Sequence, residues 1–175
     1  MIFQPTKLKG VFVIEPEFQR DDRGYFSRIF CQKELLRVNI DFTIRQISQS
    51  YNAKKGTIRG MHVQHEPAAE QKIVQCLRGI VYDVVIDVRK NSATYGQWIA
   101  EELSEHNKKK IYVPTGCAHG FQTLVDSSEM LYAMSEFYSP ECYAGVRWND
   151  PLFNIPWPIQ NSVILSEQDK QWPLI

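Results

Sequence analysis

The run from Ile58 to Gln64, with the sequence IRGMHVQ, places a histidine on a hydrophobic, strand-like segment beside a glycine. A second run from Val113 to Phe121, with the sequence VPTGCAHGF, repeats these features downstream. An arginine precedes the first histidine, and a lysine follows it on the next strand-like run. A base, a fixed cation and a further donor inside a β-structure are typical of a site that moves a proton on an anionic substrate.

The composition is that of an ordinary globular protein. A length of 175 residues suits one domain with a sizeable core. Apolar residues make up 43% of the chain and charged residues 23%, which is the usual balance for such a domain. The 20 basic residues cancel the 20 acidic ones, so no overall field draws the protein to nucleic acid or to an anionic membrane. We therefore expect neither as a partner.

The cysteines and the N-terminus predict a cytoplasmic protein. Four cysteines, at positions 31, 76, 117 and 142, form no C-x-x-C pair and show no zinc-ligand spacing. They are expected to be reduced thiols in a reducing compartment. The N-terminal sequence MIFQP lacks the pattern of a signal peptide, and no apolar run approaches the length of a membrane span.

Most of the chain shows the pattern of β-strands. Short runs rich in β-branched and aromatic residues alternate with turn signals such as Arg78-Gly79. These runs are Val11–Ile14, Lys72–Leu77, Ile80–Val88, Lys110–Val113 and Glu129–Met134. Many short strands at regular spacing predict an all-β sandwich or barrel, here as a single domain over residues 1–175.

Helix signals are short and local. Gln32–Arg37 predicts one or two turns, and Ser166–Lys170 predicts another turn with Ser166 as its N-cap. The Pro- and Trp-rich stretch Asn149–Pro158 is expected to cover the barrel as an irregular segment.

His62 has two interpretations. It is either a strand histidine with a structural hydrogen bond or a general base, for which imidazole has the right pKa. Arg59 before it and Lys72 after it favour the base, because polar residues at interior positions are costly unless they have a role. Lys72 is suited to stabilise an enolate without a metal. His119 is either a turn residue or a ligand, and Arg59, His119 and Lys170 together would hold a diphosphate.

Two tyrosines and two motifs complete the candidates. Tyr132 and Tyr138 are either packing residues with an exposed hydroxyl or acids that return a proton.

The two histidine runs resemble the two cupin motifs, but Gln64 replaces the second histidine of the first motif and Lys72 places a cation nearby, which argues against a metal. His65 keeps open a metal-dependent cupin that uses His62, His65, Glu70 and His119. A non-catalytic sugar-binding cupin is a third hypothesis.

Taken over almost its whole length, the sequence resembles the dTDP-4-dehydrorhamnose 3,5-epimerase family. The blocks that carry the resemblance are Asp22–Phe26, Ile58–His62, Gln71-Lys72, Gly79–Arg89, Pro114–Phe121, Tyr132, Trp148–Pro151, Trp157-Pro158 and Ser166–Asp169. The resemblance implies a cupin-type double-stranded β-helix, a jelly-roll barrel with short helices. It also implies a homodimer that needs no cofactor and no metal, and that acts on a nucleotide diphosphate-linked 4-keto-6-deoxy sugar in deoxysugar or O-antigen biosynthesis.

The resemblance also assigns roles by position. His62 would be the base, Asp169 its orienting partner, Lys72 the enolate stabiliser and Tyr132 the acid. Asp83 is the alternative partner for His62, or a partner for Lys72. By the same resemblance, Arg59 and His119 would hold the diphosphate, and Arg23 and Phe26 would lie near the nucleotide. Four further residues are expected to contact the substrate: Arg28, Phe121, Tyr138 and Lys170.

Arg28 departs from the family, which usually has a glutamate two residues after the phenylalanine of this block. A carboxylate suits the ring N–H of thymine, whereas an arginine donor suits the ring acceptor of cytosine. The other interpretation is that Arg28 points to solvent or pairs with a phosphate. The sequence Gln46–Ser50 also lacks the family's usual Gln-Asp-Asn run. Arg28 therefore predicts a preference for a base other than thymine, with cytosine as the first candidate. The sequence still allows a thymidine-linked substrate, and epimerisation at carbon 3, carbon 5 or both.

Overall fold

A computed structural model describes all 175 residues, which form thirteen strands and two short helices. In chain order these are β1 Ile2–Pro5, β2 Phe12–Glu15, β3 Gln19–Asp21, β4 Gly24–Phe26, α1 Gln32–Leu36, β5 Gln46–Asn52, β6 Ile58–Gln64, β7 Lys72–Arg78, β8 Ile80–Asp87, β9 Trp98–Ser104, β10 Lys110–Val113, β11 Cys117–Thr123, β12 Ser128–Met134, β13 Tyr143–Gly145 and α2 Glu167–Gln171. Neither helix has the length and apolar character needed to cross a membrane.

Two antiparallel sheets form the barrel. One has six strands in the order β1-β2-β10-β7-β12-β5, and the other has five in the order β13-β6-β11-β8-β9. Strands β3 and β4 form a separate hairpin whose ladder pairs with neither sheet. This is the predicted all-β fold, a cupin-type jelly roll with short helices.

The core lies between the two sheets, and a second apolar layer covers the outer face of each. The central cluster joins β2, β7, β10 and β12 to β8, β9 and β11 through residues such as Val74, Val85 and Phe121. The segment containing Phe153 and Trp157 covers the outer face of the five-stranded sheet, as predicted for Asn149–Pro158. Helix α1 and the residues after it cover part of the other sheet. Burial of these faces stabilises the barrel and fixes which side chains point inward.

The predicted strands and helices are confirmed to within one or two residues. Ser166 caps α2, because its hydroxyl accepts a hydrogen bond from the Asp169 backbone N–H at 3.1 Å. The strands that sequence reasoning did not identify are β1, β3, β4, β5, β9 and β13. Strand β5, with the sequence QISQSYN, lacks an apolar face because its inward residues line a polar cleft.

A pair of glycines brings the two histidines together. A Cβ on Gly60 would lie 2.6 Å from the Gly120 Cα, and a Cβ on Gly120 would lie 2.7 Å from the Arg59 carbonyl oxygen. Only residues without a side chain allow β6 and β11 to approach so closely. The resulting register sets His119 directly opposite His62. Gly60 and Gly120, the glycines near the two histidines in the sequence, are therefore explained by this close approach of the strands.

Candidate active site

A cleft of about 370 Å³ opens between the inner faces of the two sheets. Strands β5, β7 and β12 form one wall, while β6, β11 and β13 form the other, and α2 closes one side. The residues that line the cleft are Gln46, Ser48, Gln49, Ser50, Arg59, His62, Glu70, Lys72, His119, Phe121, Tyr132, Met134, Tyr138, Tyr143 and Gln168. Seven of the predicted site residues line this cleft: Arg59, His62, Lys72, His119, Phe121, Tyr132 and Tyr138.

His62 is hydrogen-bonded to Asp169, the partner that the family resemblance predicts. Its Nε2 lies 2.7 Å from Asp169 Oδ1. Strand β6 carries the histidine, and the capped turn of α2 brings the carboxylate to it from the C-terminal segment. Burial acts to raise the pKa of Asp169. The hydrogen bond from His62, the attraction of that ring when it is protonated and the hydrogen bond from Trp172 outweigh burial, so the pKa of Asp169 is lowered.

The environment of His62 favours its neutral form. Burial lowers the pKa of the imidazole below its usual value, while the Asp169 hydrogen bond and charge oppose that effect only in part. Because an ionised carboxylate only accepts hydrogen bonds, Nε2 of the neutral ring carries the proton. Nδ1 therefore presents a lone pair, which is the state that a general base requires.

Lys72 is paired with Glu70. The Lys72 Nζ lies 2.9 Å from Glu70 Oε1, and both side chains are largely buried. The carboxylate offsets the cost of burying the ammonium and restricts its position on the wall opposite β6. Glu70 was a candidate metal ligand in the sequence, and the structure gives its carboxylate an ion pair instead.

Tyr132 projects from β12, in the sheet opposite the one that carries His62. Its Oη lies 2.9 Å from the Ser50 Oγ on the neighbouring strand β5. Burial raises the pKa of the Tyr132 phenol, and the Ser50 hydrogen bond opposes this in part. The phenol therefore keeps its proton at neutral pH and has a donor beside it that stabilises a phenolate.

Two polar groups lie beside His62 on the same wall. His119 Nε2 lies 2.9 Å from Asp83 Oδ2, and the Asp83 carboxyl is fully buried. Burial raises the pKa of Asp83, and the charge and hydrogen bond of His119 oppose that effect. Arg59 Nε donates to Asn52 Oδ1 at 2.7 Å. Asp83 thus pairs with His119, and the alternative that it orients His62 or pairs with Lys72 is wrong.

Four predicted substrate contacts lie away from this cleft. Lys170 pairs with Glu167 at 2.6 Å and is half exposed. It follows Asp169 by one residue on α2, so its side chain points away from the helix face that carries Asp169. The prediction that Lys170 lies beside Arg59 and His119 is therefore corrected. The other three contacts lie on or just after the β3–β4 hairpin: Arg23, which pairs with Asp21, the exposed Phe26, and Arg28, which pairs with Glu34.

Sequence reasoning missed several residues of this site. Tyr143 is on the three-residue strand β13, and its ring centroid lies 5.3 Å from that of His62. Burial raises the pKa of its phenol. A strand of three residues gives too short a pattern to detect. Gln168 also lines the cleft, and it could have been predicted because it lies beside Asp169 on the helix that Ser166 caps.

The positions of the possible metal ligands can be compared with the hypothesis of a metal-dependent cupin. No three histidine, cysteine, aspartate or glutamate side chains converge as a set of metal ligands. His65 is exposed at the end of β6. The Gln64 amide, at the position of the second cupin histidine, donates to the Phe137 carbonyl at 2.9 Å and accepts from the Ser139 N–H at 2.9 Å. These bonds join β6 to the loop before β13, which gives Gln64 a structural role.

The whole chain matches one protein family. A family model described as dTDP-4-dehydrorhamnose 3,5-epimerase covers residues 5–175. The chain belongs to this family. The dTDP-4-dehydrorhamnose 3,5-epimerase of Sinorhizobium fredii is 41% identical over 173 residues, which cover 99% of this chain and 89% of that protein.

Solved structures of family members share the fold closely. The Bacillus anthracis dTDP-4-dehydrorhamnose 3,5-epimerase, solved with TDP and PPi bound, is 40% identical, with a TM-score of 0.95 over 99% of each chain. The Legionella pneumophila dTDP-6-deoxy-D-glucose-3,5-epimerase, solved with dTDP-4-keto-L-rhamnose, is 33% identical. Its TM-score is 0.92, with 99% of this chain and 92% of that chain covered.

The contact between His62 and Asp169 predicts the effect of replacing the carboxylate. Asp169→Asn removes the charge that favours the imidazolium, so the pKa of His62 should fall further, as measured by NMR titration of the imidazole. The amide also donates to the ring and favours the wrong tautomer, so turnover should fall at least about tenfold. Asp87→Asn is the matched control, because Asp87 is a buried carboxylate that pairs with Arg89 outside the cleft. An unchanged His62 titration in Asp169→Asn would show that the two groups are not coupled.

Proposed function

We propose that the protein is an isomerase that epimerises carbon 3 and carbon 5 of a dTDP-linked 4-keto-6-deoxyhexose, as a step of deoxysugar biosynthesis. Membership of the family supports the reaction class. The observation that carries the proposal is the arrangement of the cleft, with a neutral histidine on one sheet facing a protonated phenol and a lysine on the other. Inversion at carbon needs a proton removed from one face and another delivered to the opposite face.

The first step uses His62 and Lys72. The 4-keto group acidifies the hydrogens on carbons 3 and 5, so the substrate itself supplies the electron sink. His62 Nδ1 takes the proton, and the electron pair of the C–H bond moves to form an enolate with its charge on the keto oxygen. The Lys72 ammonium stabilises that charge, and its position is restricted by Glu70.

The second step uses Tyr132. The enolate re-forms the ketone as carbon takes the phenolic proton from the face opposite His62. The Ser50 hydroxyl donates to the resulting phenolate. His62 ends the step protonated and Tyr132 ends it ionised, so proton exchange with solvent returns both to their starting states. His119 and Arg59, at the same wall, would hold the diphosphate and keep the sugar in place.

Deuterium exchange tests the role of His62. In heavy water the wild-type protein should incorporate deuterium at carbons 3 and 5 of dTDP-4-keto-6-deoxyglucose. His62→Ala should reduce this incorporation at least about a hundredfold, because a positioned base is lost, while nucleotide binding stays nearly unchanged. Mass spectrometry and NMR of the recovered sugar measure both positions.

His65→Ala is the matched control for this experiment. His65 is an exposed histidine near His62, so its removal should leave exchange unchanged. A metal-dependent enzyme that uses both histidines would lose activity in either variant and would be inhibited by chelators. Exchange at a near-normal rate in His62→Ala would remove His62 from the mechanism.

The nucleotide proposed is thymidine diphosphate. The Bacillus anthracis relative was solved with TDP, which supports this choice. In this protomer Arg28 pairs with Glu34, whose other oxygen accepts the N-terminal ammonium at 2.7 Å. Because a carboxylate already engages this half-exposed arginine, the contact supports the interpretation that Arg28 does not read the base, and it weakens the argument for a cytidine-linked substrate.

Calorimetry of the two nucleotides tests this choice. dTDP should bind at least about tenfold more tightly than CDP, on the general expectation that a site built for one hydrogen-bond pattern rejects the other. Arg28→Ala should leave the ratio of the two affinities unchanged. Tighter binding of CDP in the wild-type protein, with a smaller difference in Arg28→Ala, would show that Arg28 reads the base.

We further propose that the protein acts as a homodimer in the cytoplasm. Tyr25, Phe26 and Ile29, on and after the β3–β4 hairpin, are each about half exposed or more. Strand β5 is an open edge of the six-stranded sheet. Exposed apolar side chains and an open edge favour association with a second copy, which would also receive the hairpin residues Arg23 and Phe26 at its nucleotide site. Four free cysteines suit a reducing compartment.

Sedimentation at micromolar concentration should show a dimer. Ile29→Asp should raise the dimer dissociation constant at least about tenfold, because it places a charge on the exposed apolar patch. Leu152→Asp is the control, since Leu152 is similarly exposed on the segment that covers the other sheet. A fully active wild-type monomer at that concentration would contradict the dimer.

A further inference from the structure

The last residues of the chain lie beside the site in a defined position. Arg147 Nε donates to the Trp172 carbonyl oxygen at 2.8 Å, and the Arg147 backbone N–H donates to the Pro173 carbonyl oxygen at 3.1 Å. The Ile175 N–H donates to Asp150 Oδ2 at 2.7 Å. Three hydrogen bonds therefore hold residues 172–175 against the segment that follows β13.

In this position the indole of Trp172 points toward Asp169 and His62. Its Nε1 donates to Asp169 Oδ1 at 3.1 Å. The same oxygen lies 2.7 Å from His62 Nε2, so one carboxylate oxygen accepts hydrogen bonds from both rings. The other oxygen, Oδ2, has the Gly60 N–H at 3.4 Å. The spacing of three residues between Asp169 and Trp172 matches one turn at the end of α2.

The Trp172 indole is enclosed by a glycine and two other rings. A Cβ on Gly145 would lie 2.4 Å from Trp172 Cε2, so the indole rests directly on the glycine. Gly145 is in turn the cross-strand partner of His62. The centroid of the indole lies 6.2 Å from that of His62 and 5.7 Å from that of Tyr143, with both ring pairs edge to face. The indole is therefore packed on three sides as well as hydrogen-bonded.

We propose that Trp172 is a positioning residue that fixes the Asp169 carboxylate and moderates its basicity, and that it thereby sets the strength of His62 as a base. This inference rests on the proposed role of His62. A donor on a carboxylate draws away part of its negative charge and weakens it as an acceptor for a second donor. The indole thus keeps Asp169 from holding the proton of a charged His62 too firmly, which helps the ring return to its neutral form.

Other groups also act on His62, and the test leaves them in place. Asp169 favours the imidazolium, whereas Lys72 and His119 disfavour it through their charges. The neutral phenol of Tyr143 faces the ring from β13. Because none of these four residues is altered when Trp172 is replaced, a change in His62 titration reports the indole.

Trp172→Phe keeps an aromatic ring and removes only the N–H donor. The pKa of His62, followed by NMR of the imidazole in the substrate-free protein, should rise. With dTDP-4-keto-6-deoxyglucose the acid limb of the kcat/KM profile should move to higher pH, and kcat should fall about fivefold, the effect expected for one hydrogen bond. Trp98→Phe is the matched control, because it loses an indole hydrogen bond to the Phe153 carbonyl far from the cleft.

A double-mutant cycle separates this mechanism from simple loss of packing. If the indole acts through the carboxylate, Trp172→Phe should leave His62 titration unchanged when Asp169 is already asparagine. A shift of equal size in both backgrounds would mean that greater water access to His62 causes it, and would overturn the inference. An unchanged His62 titration in Trp172→Phe alone would also overturn it.

Arg147→Met supplies a second variant that keeps the indole. It removes the Nε donor to the Trp172 carbonyl, so it should loosen the tail and shift His62 in the same direction by a smaller amount. A shift in the opposite direction would count against the inference. The NMR titration needs no turnover, so its outcome is distinct from a failure of the wild-type protein to exchange deuterium, which would contradict the proposed function alone.

Discussion

The structure depends on one constraint, which is that each polar group buried between two apolar sheets must have a partner. An unpaired ionisable group in such an interior is costly, and a paired one is held in a single orientation. Four pairs meet this need around the cleft: His62 with Asp169, Lys72 with Glu70, His119 with Asp83 and Tyr132 with Ser50. The buried Asn52 is also paired, with the exposed Arg59. The pairing that makes the cleft tolerable for the fold also orients its reactive groups.

The placement of these pairs on two sheets has a direct chemical consequence. His62 is on the five-stranded sheet, whereas Tyr132 and Lys72 are on the six-stranded sheet. In the proposed mechanism, a flat enolate between the sheets has the histidine on one face and the phenol on the other. A jelly roll provides this arrangement without any moving part, because facing sheets present side chains toward each other from fixed strands.

The fold was largely predictable because the inner face of a strand leaves a strong pattern. Strands β7, β8, β10 and β12 are rich in β-branched residues that fill the core, and their predicted bounds were nearly correct. Strand β5 was missed for the opposite reason, since Ser48 and Ser50 face a polar cleft and break the apolar alternation. Turn signals alone do not distinguish such a strand from a loop.

The partners of the site residues were harder to predict than the residues themselves. Glu70 is two residues from Lys72 on the chain, and this local pairing was open to detection. Asp83 and Asp169 were both plausible partners for His62, and only the register of β8 against β11 assigns Asp83 to His119. The contribution of Trp172 depends on where the chain returns after covering the outer face of a sheet. Long-range returns of this kind follow from the packed fold rather than from any local pattern. For this reason the proposed base, His62, comes from the middle of the chain, whereas Asp169 and Trp172, the groups proposed to orient it, come from the end.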